Sequence, residues 1–246
     1  KSILEAKNFQ GILTQEGAIL GLVERDFQFD GTNIGSNFYV FYLKDLYQGS
    51  YALNDHPYSN NSAHPNYFTI EKIDEDSTNY YFAVGRSDIG LLLCKFNKLQ
   101  TRGTPISCQE VNVTKMILDE EPDAVAPNWS FITVLLQSGN YSIFIGATNF
   151  HAYQLEFNIL NSTGEFTKMK IVKAFLNYHP HSKLSYFAAS QTYVAFYHRI
   201  EANNKDKDET DVIDFYDLTN TQESHIRLKQ ETYDLYEAFQ RVKLNV

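Results

Sequence analysis

Apolar residues recur at every second position along most of this chain, while long runs at helical spacing are scarce. Period-two alternation puts apolar side chains on one face of an extended strand, so the pattern predicts an all-β protein. Four stretches line up by pattern. They are GAILGLVERDF followed by NFYVFYLKDL, then NYYFAVGRSDIGLLLCKFNKL, then NYSIFIGATNFHAYQLEFNIL, and finally QTYVAFYHRI followed by DVIDFYDLTN. Each reads as an apolar strand, a polar turn and a second strand. The second strands begin near Phe38, Leu91, Ala152 and Val212, about 53 to 61 residues apart, which is the scale of one four-stranded sheet per repeat.

Candidate outer and inner strands fill the gaps: YFTIEKI, CQEVNVTKMIL, WSFITVLL, FTKMKIVKAFL, LSYFAAS and HIRLKQ. The expectation is a single domain over 1–246 of about four antiparallel four-stranded units, approximately 12–60, 66–118, 128–177 and 183–232. KSILEAKNF at one end and YEAFQRVKLNV at the other are candidates to pair and close a ring. The C-terminal segment also fits a short helix, with Tyr233, Tyr236, Phe239 and Val242 about three apart. EANNKDKDETD, 201–211, reads as a solvated hairpin loop.

This organisation resembles the blades of a β-propeller. DVIDFYDLTNTQE is similar to the third strand of a WD-type blade, where an aromatic-Asp-Leu run precedes a polar turn. The Gly-His element and the Trp-Asp dipeptide of such repeats are missing, and Phe215-Tyr216-Asp217 stands in for the latter. The resemblance therefore implies a fold, as four blades or as part of a larger propeller, and no particular family.

Composition narrows the partners. With 30 acidic against 21 basic side chains and a formal charge of -9, no basic stripe is available to neutralise phosphate, which disfavours nucleic acid and anionic lipid. No apolar run is long enough for a membrane-spanning helix. Aromatics are 15% of the chain, 17 Tyr and 18 Phe against one Trp, as suits pleated, half-buried surfaces. Most are expected in the core. Tyr47, Tyr51, Tyr80, Tyr81 and Tyr141 are the ones expected at strand ends, where rings can stack on sugars or anchor a partner.

Two features bear on compartment. Cys94 and Cys108 flank KFNKLQTRGTPIS, a strand, a Gly/Pro turn and a strand start, so a hairpin would bring them together as a disulfide. Asn-x-Ser/Thr triplets at Asn60, Asn112, Asn128, Asn140 and Asn161 exceed what an Asn-rich chain gives by chance and are candidate glycosylation sites. Both point to the secretory pathway. A start at Lys1 with no targeting sequence fits a processed or excised form.

Catalytic signatures are scarce. GxSxG, GxxxxGK[ST], HExxH and GxGxxG do not occur. His56, His64, His179 and His181 sit beside prolines and read as loop residues, with no further zinc ligands nearby. Asp206, Asp208 and Asp211 are loosely spaced like a calcium loop that lacks its Gly and terminal Glu, and DEEPD and IDEDS read as solvated turns. Asp30, Glu156 and Asp214 are strand carboxylates that a glycosidase would have to pair. The expected function is a non-catalytic binding or assembly module of a secreted or cell-surface glycoprotein, with protein or glycan partners, homo- or hetero-assembly and no cofactor. The alternatives are an intracellular propeller scaffold in a multiprotein complex and a carbohydrate-active enzyme.

Overall fold

A computed structural model describes residues 3–29, 32–44, 47–52, 67–100, 105–137, 139–148, 151–160, 163–176, 182–200, 210–219 and 225–229. These residues form sixteen strands and one helix. The first sheet comprises β1 (Ile3–Leu13), β2 (Ile19–Phe29), β3 (Thr32–Lys44) and β4 (Tyr47–Ala52). The second comprises β5 (Tyr67–Glu75), β6 (Asn79–Arg86), β7 (Gly90–Asn97) and β8 (Ile106–Asn112). Helix α1 (Val113–Glu120) precedes the third sheet, β9 (Trp129–Gln137), β10 (Asn140–Ala147), β11 (His151–Phe157) and β12 (Lys170–Leu176). The fourth holds β13 (Ser182–Ala189), β14 (Tyr193–Ile200), β15 (Thr210–Asp217) and β16 (His225–Lys229).

Each sheet is an antiparallel meander whose strands pair in chain order. The strands expected to recur near Phe38, Leu91, Ala152 and Val212 are β3, β7, β11 and β15, the third strand of every sheet. KSILEAKNF contributes most of β1 and pairs with β2, from Ile3↔Gln28 to Leu13↔Ile19. YEAFQRVKLNV and residues 201–209 lie outside the described residues.

CQEVNVTKMIL does not run on as a strand. It leaves the sheet after Asn112, which still pairs with Gly90, and turns into α1. Val113 and Ile117, one helical turn apart, are both buried there, and Asn112 is of a type favoured just before a helix. The indole Nε1–H of buried Trp129 donates to Thr114 Oγ1 at 2.9 Å, tying the helix to the start of β9.

The chain divides into two compact units, residues 1–112 and 113–246. In the first, Ala18, Leu20, Leu22, Val40 and Tyr42 of one sheet pack with Tyr80, Phe82, Val84, Leu92, Cys94 and Phe96 of the other. The Tyr42 and Phe96 rings lie 5.0 Å apart. In the second, Phe144, Ala152 and Phe175 meet Ala189, Val194 and Phe196, and Phe175 and Phe196 approach to 5.2 Å. Burial of each such Leu or Phe contributes about 1.5–3 kcal/mol.

Inner strands differ from simple alternation. Residues 80–85 on β6 and 141–147 on β10 are buried without interruption, so both faces of these strands are covered. Tyr80, Tyr81 and Tyr141, expected at ligand-facing strand ends, are core residues at 2, 3 and 9% exposure. Their rings fill space beside neighbouring side chains and are closed to a ligand. Tyr47 and Tyr51 lie in β4.

Candidate functional site

The two cysteines meet. Hairpin β7–β8 puts Cys94 directly opposite Cys108, and their Sγ atoms form a disulfide with Cα atoms 4.1 Å apart. That is near the close spacing of a non-hydrogen-bonded antiparallel pair. Cys94 lies in the core, whereas Cys108 is exposed on outer strand β8, where residues 107–110 are all open to solvent.

Three of the five glycosylation triplets fall in described residues, and each exposes its Asn. Asn112 ends β8, Asn128 precedes β9, and Asn140 opens β10 after Gly139, whose φ of 84° makes the turn. Their third residues differ in setting. Thr114 accepts the Trp129 hydrogen bond, Ser130 is half-buried, and Ser142 is 0% exposed, accepting from Gln154 Nε2 at 3.2 Å. Asn140 Oδ1 accepts from Asn158 Nδ2 at 2.6 Å. Asn60 and Asn161 lie outside the described residues.

The largest charged constellation among the described residues was not expected from the sequence. At one end of the first unit, Lys98 Nζ donates to Glu16 Oε1 at 2.9 Å and to the Asp76 carbonyl at 2.6 Å, and lies 3.5 Å from Glu75 Oε1. Glu75 Oε2 also accepts from Lys72 Nζ at 2.6 Å and from the Gln15 backbone N–H at 2.9 Å. Lys98 rests 4.2 Å from the centre of the Tyr80 ring, and Tyr80 OH donates to Glu16 at 3.3 Å. The cluster clasps turn β1–β2 to turns β5–β6 and β7–β8.

Burial by itself would raise the Glu75 carboxyl. The Gln15 hydrogen bond, the hydrogen bond and charge of Lys72, and the charge of Lys98 outweigh it and hold Glu75 below its ordinary value. Burial likewise disfavours charged Lys98, but Glu16 and Glu75 keep it above its ordinary value. Next to them, Tyr81 is pushed up to about 12 by burial and by its hydrogen bond to Asp76. Every charge here has a partner, so the cluster works as a fastening. These groups are 60 and 82 residues apart in sequence, and no local motif joins them.

A second ionic group sits on the β6–β7 turn. Arg86 grips Asp88 through Nε and Nη2 at 2.7 and 2.9 Å and reaches Glu110 on β8 through Nη1 at 2.8 Å. This two-pronged grip holds the turn and braces the disulfide-bearing strand.

The two described candidate carboxylates are engaged or enclosed. Glu156 on β11 lies 3.4 Å from Lys170 on β12. Asp214 on β15 is 2% exposed, opposite Phe196 and Arg227 in the strand register. Asp30 lies outside the described residues, as do His56, His64, His179, His181, Asp206 and Asp208; Asp211 is in β15. Among the described residues, no group of three or more His, Cys, Asp or Glu is arranged to hold a metal. No helix among them is long and apolar enough to cross a membrane.

No family model matches the chain, and no curated protein shows significant similarity to it.

Proposed function

We propose that this chain is a non-catalytic binding and assembly module of a secreted or cell-surface glycoprotein, built from propeller-like blades. The cross-strand disulfide carries the reading. Cys108 is exposed on an outer strand, where a thiol-rich cytosol would work against the bond, and this supports an oxidising compartment. Exposed Asn112, Asn128 and Asn140 point the same way, since a glycan needs surface Asn in a secretory setting.

Binding rather than turnover is supported by how the polar groups are used. Lys98, Glu75, Arg86 and Glu156 are paired with neighbouring protein groups, and Asp214 is enclosed. Repeated four-stranded meanders leave their connecting turns as the variable surface, where protein or glycan partners would bind.

Protein isolated from its native host under thiol blocking tests the proposal. Glycosidase treatment is expected to lower its mass, and non-reducing peptide mapping to recover a linked Cys94–Cys108 pair. Unmodified Asn112, Asn128 and Asn140 together with two blocked thiols would move the chain to the intracellular scaffold reading.

A further inference from the structure

We propose that Asn140 carries an N-linked glycan added before the third sheet folds, and that folding then closes the site to the transferase. The proposal rests on the glycoprotein reading and assigns one site and an order of events within it.

The triplet is recognised through both the Asn amide and the hydroxyl at its third position. Here that hydroxyl belongs to Ser142, which is wholly buried and accepts from Gln154. Ser142 is on an inner strand, opposite Leu135 of β9 and Glu156 of β11. Between the two, Tyr141 is 9% exposed and stacks on Phe157 with ring centres 5.6 Å apart. Presenting Asn140-Tyr141-Ser142 to an enzyme requires unpairing β10 on both sides and unstacking Tyr141, an opening close to unfolding the sheet.

The finished product fits the fold. Asn140 is exposed, and its contact with Asn158 uses the amide oxygen Oδ1, leaving the sugar-bearing Nδ2 out of that bond. Transfer joins Nδ2 to the anomeric carbon of the sugar. It breaks the bond from that carbon to the diphosphate oxygen of a polyisoprenyl-diphosphate oligosaccharide, and one Nδ2 proton passes to the transferase. No atom in this exchange requires a change in the folded backbone. Asn128 differs in position, since it precedes β9, the outer strand of the same sheet.

The test presents the full chain, either folded or freshly diluted from denaturant before the third sheet re-forms, to a purified oligosaccharyltransferase and a polyisoprenyl-diphosphate oligosaccharide. Transfer to Asn140 is expected to be at least about tenfold greater on the unfolded chain. Asn140→Gln and Ser142→Ala should each remove that product from the unfolded chain, where no folding defect intervenes. Comparable transfer to Asn140 on the folded chain overturns the proposal. In host-derived protein, a glycan on Asn112 or Asn128 with Asn140 bare also overturns it while leaving the glycoprotein reading standing. Bare Asn at every triplet overturns both.

Discussion

Gly85 occupies a place on β6 where a Cβ would stand 2.4 Å from Cε2 and Cζ of the Phe68 ring. The neighbouring strand would have to yield, because an aromatic ring cannot bend away as a long side chain can. Gly85→Ala is expected to lower stability by about 1–3 kcal/mol, read as a shift in the urea midpoint with unchanged slope. Pairing it with Phe68→Leu should restore part of the loss. At this scale a sequence is hard to read. GRSDIG announces a turn, but only the packed sheet shows that Gly85 is required for closeness to a ring. The tyrosines carry the same lesson, since residue type alone left Tyr80, Tyr81 and Tyr141 open as surface groups, and neighbouring side chains buried them.

Hairpins were the most legible elements. Strand, turn and strand could be read in KFNKLQTRGTPIS because apolar alternation and Gly/Pro act over a few residues, and the Cys94–Cys108 register followed from that hairpin. The bond closes a loop with a sequence separation of 14, for which chain entropy gives about 3 kcal/mol. The double change Cys94→Ala and Cys108→Ala is expected to lower stability by about that amount, measured by urea unfolding, and added reductant should affect only the unaltered protein. Helix α1 was less legible. Val111-Asn112-Val113 alternates as a strand does and carries that pattern up to the helix, and the choice fell to Val113 and Ile117, whose helical spacing buries both.

Across a whole unit, charge decides how sheets are fastened. Lys98 and Glu75 have side chains only 8 and 5% exposed, whereas Glu16 is 37% exposed. Removing one member of a buried pair leaves its partner's charge less fully compensated, while exposed pairs contribute little. Lys98→Met is therefore expected to cost about 3 kcal/mol and Glu16→Gln less than about 1 kcal/mol, by urea unfolding at neutral pH.

The same clasp sets a pH window. Glu75 is held below its ordinary 4.5, so its contribution is present above that value and lost as pH falls through the lower folded value. Lys98 is held above 10.5 and Tyr81 is raised from 10.0 to about 12. Their contributions are present below the ordinary values and lost as pH rises through the folded ones. The urea midpoint should be level near neutrality and fall at both extremes. In Lys98→Met the acid limb should become shallower, because Glu75 then loses one of its cationic partners.

The sequence by itself determined the all-β class, the recurrence of one sheet about every 53 to 61 residues and the hairpin that joins the cysteines. Each depends on contacts between residues near in the chain, where alternation and turn chemistry are sufficient. Tertiary structure alone decided which alternating strands are buried on both faces, that Ser142 is sealed within an inner strand, and that Lys98 meets Glu16 and Glu75. Those outcomes depend on which sheet or strand lies alongside, and residues distant in sequence supply the burial and the opposing charge.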